Sequence, residues 1–82
     1  MKIKIEKRYS NETRLEGEAE SFKQFIEENK SDLRGSNLRG SDLSDSDLSD
    51  SNLSGSDLRW AKIKASQKDE LLRALRIEVV GD

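Results

Sequence analysis

The sequence predicts a mainly β domain assembled from five-residue segments, with a corner after each, and closed at both ends by flanking elements. Two observations predict it. The first is a gapless run, SDLRG, SNLRG, SDLSD, SDLSD, SNLSG, SDLRW and AKIKA, from Ser31 to Ala65. Large aliphatics recur at Leu33, Leu38, Leu43, Leu48, Leu53, Leu58 and Ile63, the expected core, and small residues stand two places earlier at Ser31, Ser36, Ser41, Ser46, Ser51, Ser56 and Ala61. A helix would advance each successive leucine by about 140° and spread them around its cylinder, and a strand of period two would alternate them between faces. Each unit is therefore a separate segment that presents its aliphatic residue inward. The second observation is that the sequence on either side abandons this period for strand-like and helix-like patterns.

Before the array, Lys2 to Tyr9 alternates, with Ile3, Ile5 and Tyr9 on one face and Lys2, Lys4, Glu6 and Arg8 on the other. Ser10-Asn11-Glu12 is a turn, and Thr13 to Gly17 returns as the second strand of a hairpin. Over Glu18 to Asn29, the spacing of Ala19, Phe22, Phe25, Ile26 and Asn29 predicts one face of a helix. After the array, Ser66 is expected to cap a helix over Gln67 to Arg76, with Asp69 in the capping-box position and Leu71, Leu72 and Leu75 as its apolar stripe. Ile77 to Val80 reads as a short strand that extends the hairpin or pairs with another subunit. The whole, residues 1–82, is read as one domain: hairpin and capping helix (1–30), repeat array (31–65), and C-terminal helix and strand (66–82).

The seven units in register resemble the pentapeptide-repeat family, whose unit is a small residue, Asp or Asn, Leu or Phe, a polar residue, then often Gly. The resemblance covers 35 of 82 residues. It implies a short right-handed quadrilateral β-helix, four units to a coil, with coils stacked at about 4.8 Å. This chain departs from the family's pattern in placing Ser at the inward small position. A buried hydroxyl needs a hydrogen-bond partner, and a carbonyl of its own or the neighbouring coil is the expected one. Seven units also make fewer than two coils, so both open ends must be covered, which is the role expected of the flanks.

Composition narrows the function. Histidine and cysteine are both absent, which removes the commonest general base, the thiol nucleophile and two common metal ligands. No enzyme activity, metal or cofactor is expected. No apolar run approaches the roughly 20 residues that span a bilayer, and the Met1-Lys2-Ile3-Lys4-Ile5 start is unlike a secretory leader, so a cytoplasmic protein without a membrane partner is expected. The net charge of -2 is concentrated in the array: Met1 to Lys30 is neutral, Ser31 to Trp60 carries 3 basic and 6 acidic residues, and Ala61 to Asp82 carries 5 and 4.

If four units complete a coil, Asp42, Asp45, Asp47 and Asp50 fall on two adjoining sides, with Asp57 and Trp60 on another. Asp32, Asp42, Asp47 and Asp57 also suit solubility and turn bonding. Asp45 and Asp50 differ, because they stand where Gly35, Gly40 and Gly55 stand in other units. A rigid acidic strip is the electrostatic counterpart of a nucleic-acid backbone. The resembled family contains DNA mimics that inhibit or protect topoisomerases, and small phage proteins that block CRISPR effectors work by the same principle. A protein partner is therefore expected, a basic DNA-binding protein or nucleoprotein complex, contacted by Asp42, Asp45, Asp47, Asp50, Asp57 and Trp60. The competing reading is an assembly module, such as a homodimer. Calcium fits poorly, because calcium-binding β-helices repeat every nine residues with paired glycines. Lys62 and Lys64 beside Arg59 and Trp60 make only a small basic-aromatic patch, so direct nucleic-acid binding is not expected. Trp60 is expected to pack on a flank or to anchor an interface.

Overall fold

The computed structural model describes residues 1–76, so the strand expected over Ile77 to Val80 lies outside the described residues. Strands β1 (Lys2–Glu6) and β2 (Thr13–Glu18) form the antiparallel hairpin that the alternation predicts, with Ile3 and Ile5 buried. Tyr9 departs from that face and is 79% exposed. The register shifts between Ile5 and Glu6, and the chain turns at Arg8 and Tyr9, where Tyr9 takes a φ of 62°. One residue of slip exchanges the two faces of a strand.

The end of β1 continues onto the array. Lys7 bridges Ser36 in antiparallel fashion, the Asn37 N–H donates to the Glu6 carbonyl at 2.8 Å, and the Arg8 N–H donates to the Gly35 carbonyl at 2.8 Å. These bonds satisfy backbone groups that the first coil would otherwise leave open. Helix α1 (Phe22–Glu28) is shorter than expected, because β2 runs on through Glu18 and Ser21 starts the helix by accepting the Gln24 N–H at 3.1 Å. Its Phe25 and Ile26 are buried in the common core.

Within the array, backbone pairing joins residues about twenty apart. The Leu38 N–H donates to the Asp57 carbonyl and the Leu43 N–H to that of Lys62, both at 2.9 Å, while Asp57 and Lys62 donate back to Ser36 and Ser41 at 2.9 Å. Asn37 and Asp57, and likewise Asp42 and Lys62, form parallel bridges. Twenty residues are four units, so the second coil lies on the first. Corners are closed by N–H groups of Ser41, Ser46, Ser51, Ser56 and Ala61, each bonded at 3.0–3.2 Å to the leucine carbonyl three residues earlier. The residue before each closing N–H is left-handed at Gly40, Asp50, Gly55 and Trp60, though not at Asp45.

Leu33, Leu38, Leu43, Leu48 and Leu53 are buried to 1% exposure or less. Leu58 and Ile63, expected in the same core, are only partly buried. Among the described residues no third coil stacks beneath them. Ser31 is exposed as well, because a 3₁₀ turn over Lys30–Asp32 leads into the array there. The inward hydroxyls of Ser51 and Ser56 donate to the carbonyls of Leu48 at 2.6 Å and Leu33 at 2.7 Å, one in each of the two ways anticipated. Ser36 Oγ is buried with no partner among the described residues.

The C-terminal cap is a 3₁₀ turn (Ala65–Gln67) running into α2 (Lys68–Ala74), rather than a helix capped by Ser66. Gln67 takes over the closing role: its Nε2 donates to the carbonyls of Leu43 at 2.7 Å and Ser46 at 2.8 Å, and its Oε1 accepts the Lys64 N–H at 2.7 Å. The Ala74 carbonyl accepts the Leu53 N–H at 2.8 Å, which ties the helix end to the second coil. No described helix is long and apolar enough to cross a membrane.

Candidate functional site

The four strip aspartates are all exposed, and each sits at a defined point of its unit. Asp42 Oδ1 accepts the Ser44 N–H at 3.0 Å and the Ser44 hydroxyl at 2.6 Å; Asp47 repeats this with Ser49 at the same distances. These local bonds fix each carboxylate beside its own corner. The hydroxyl bond first, then the backbone bond, holds both groups below the usual carboxylate range, and nearby lysines add to the effect. Helix α1 contributes a fifth carboxylate, since Glu27 accepts the Asp47 N–H at 2.7 Å.

Lysines interleave with this strip. Lys64 Nζ lies 2.6 Å from Asp45 and Lys30 Nζ lies 3.6 Å from Asp47, while Lys62 adds its positive charge near Asp42. Asp50 has no ion pair among the described residues. Its φ of 59° shows that it stands in for a corner glycine, which Asp tolerates better than most residues.

Asp57 does not face outward as expected. It is buried, and its carboxylate accepts from Arg59 Nε at 3.0 Å and Nη2 at 2.8 Å, with Arg39 Nε at 3.8 Å. Its parallel bridge with Asn37 places it between the coils, so its role is to orient two guanidinium groups. Those groups lie 5.6 Å (Arg39) and 5.7 Å (Arg59) from the centre of the Trp60 ring. Trp60 is 73% exposed, so it does not cover a flank.

Around Trp60 the fold assembles residues that the sequence left far apart. Arg8 lies 4.8 Å from the ring centre of Tyr9. Arg59 is held charged first by its hydrogen bonds to Asp57 and then by attraction to that carboxylate, and the hairpin turn meets the preceding unit, where the Arg8 N–H donates to the Gly35 carbonyl at 2.8 Å. Arg14, on β2, donates to Asp32 Oδ1 at 2.6 Å and to the Arg34 carbonyl at 3.1 Å. Lys7, Arg8, Arg14 and Arg34 line one shallow groove with Gly35 and Gly55. Sequence reasoning grouped Arg59 and Trp60 with Lys62 and Lys64, but Lys64 belongs to the aspartate strip. No local signal identified Tyr9 or Arg8, because their position depends on where the hairpin docks. Among the described residues, no three acidic side chains converge to hold a cation.

A family model described as pentapeptide repeats matches residues 29–64 in eight copies, beginning two residues before the array as read from the sequence. No curated protein and no solved structure matches the chain.

Proposed function

Residues 29–64 being a pentapeptide-repeat array, we propose that this chain is a non-catalytic protein-binding module whose stacked units form a right-handed quadrilateral β-helix. We further propose that Asp42, Asp45, Asp47 and Asp50 dock on a basic DNA-handling protein, a topoisomerase or a CRISPR effector, by imitating DNA. The observation that supports this reading is the placement of the four carboxylates: all are exposed, on two consecutive units of a rigid coil. Fixed charges lose little side-chain entropy on binding, and charge complementarity raises the rate of encounter. The neighbouring lysines set a condition on the reading. A partner that takes the chain in place of DNA must compete with Lys64 for Asp45 and with Lys30 for Asp47, whereas Asp42 and Asp50 have no ion pair among the described residues.

The test is competition for duplex DNA. The chain should displace DNA from a topoisomerase or a CRISPR effector at low salt and lose this effect as salt is raised. Replacing the four aspartates with Asn should abolish competition while leaving the fold intact. An Asn variant that competed as well as the parent would remove the mimicry reading. Concentration-dependent self-association, unaffected by that variant and with no DNA-handling partner, would put the assembly reading in its place.

A further inference from the structure

We infer that the face carrying Tyr9 and Trp60 is a second binding surface and that it takes single-stranded nucleic acid. This inference is independent of the aspartate strip and departs from the expectation that nucleic acid is not bound directly.

Three observations carry it. The first is a segregation of cation type. Arg8, Arg14 and Arg34 line the groove with Lys7, and Arg39 and Arg59 flank Trp60 in the units that follow Gly35 and Gly55, so five of the chain's seven arginines and one of its eight lysines stand on two adjoining units joined by the end of the hairpin strand. A guanidinium forms paired bonds to phosphate oxygens that an ammonium cannot match. The six cations meet three carboxylates, of which Asp57 is buried and Glu12 is bonded to Lys7 at 2.9 Å, so the face is net positive on a chain that is net negative. The second observation is the pair of rings. Tyr9 and Trp60 are 79% and 73% exposed and each carries a flanking arginine, so their apolar surfaces serve no core. The third is conformational: both have a φ of 62°, a left-handed backbone that bulky residues rarely adopt. Trp60 holds a corner where Gly35, Gly40 and Gly55 have the same conformation without strain.

Exposed rings on a rigid scaffold, each beside a guanidinium, match what a single strand offers: an unpaired base to stack and a phosphate next to it. A duplex keeps its base faces covered. An acidic peptide would engage the arginines but leave both rings without a complementary surface.

Trp60 is the chain's single tryptophan, so its fluorescence reports on this face. Titration at low salt with a short fluorescein-labelled oligothymidylate should quench Trp60 and raise the label's anisotropy, and both effects should weaken as salt rises. Tyr9→Ala should lower the affinity about tenfold, the loss expected for one stacked base. Arg8→Ala and Arg34→Ala should instead flatten the salt dependence. Each variant's melting curve shows whether it is folded. The inference is overturned if the oligonucleotide produces neither signal, or if folded Tyr9→Ala and Arg8→Ala bind it like the parent. It is also overturned if poly-glutamate of similar length binds as tightly, which would assign the face to an acidic protein.

Discussion

Trp60 shows at the scale of one residue how stability and exposure diverge in this chain. Its corner is left-handed, and an L side chain there costs about 1–2 kcal/mol that glycine does not incur. Trp60→Gly should therefore raise the urea midpoint by an amount equivalent to about 1 kcal/mol while removing the ring beside Arg39 and Arg59. A lower midpoint would show instead that the ring's arginine contacts hold the corner together. The sequence made the outward position of Trp60 legible, because it follows a leucine by two places in a fixed register. It could not reveal Asp57 as a buried acceptor, since the same Asp-before-Leu position is exposed at Asp42 and Asp47. What differs is the pair of arginines, one from each coil, that close over it.

At the scale of elements, the five-residue period was the strongest signal and gave the inward register directly. Leu43, at 0% exposure, should cost about 2–5 kcal/mol on truncation to Ala, enough to unfold a domain of this size. Leu58→Ala should cost clearly less, because that side chain is only partly buried at the unstacked end of the coil. Equal losses in chemical denaturation would show that the second coil is covered as well as the first. Among the described residues, the flanks were legible as element types but not as boundaries. Helix α1 starts at Phe22 rather than Glu18 because the hairpin bonds extend β2, and Ser21 then supplies the cap. Gln67 had no signature at all: its side chain closes the coil by reaching carbonyls 21 and 24 residues away.

At the scale of the whole molecule, charges far apart in the sequence meet across the units, as Lys64 meets Asp45 and Lys30 meets Asp47, so a count of charge by segment does not describe the local balance. Asp32, Asp42, Asp47, Asp57, Glu12 and Glu27 are all held below the usual carboxylate range by hydrogen bonds, with cations nearby or between them. A lowered folded-state value means that the stabilisation is complete above the unfolded carboxylate range, about pH 4, and is lost as pH falls through the folded values. With no histidine in the chain, no side chain of ordinary pKa titrates between about pH 5 and pH 8 to offset this. The melting temperature should stay nearly level between about pH 8 and pH 5 and drop below about pH 4. A maximum at acid pH would mean that repulsion among the strip carboxylates outweighs these bonds.

The proposed docking through the aspartate strip is tested most directly by the rate of association with a topoisomerase or a CRISPR effector, measured against ionic strength. For the parent chain the rate should be fast at low salt and fall steeply as salt screens the strip. Replacing Asp42, Asp45, Asp47 and Asp50 with Asn should slow association about tenfold at low salt and flatten the salt dependence, with dissociation changed less. Rates for parent and variant that coincide at every salt concentration would contradict docking through the strip.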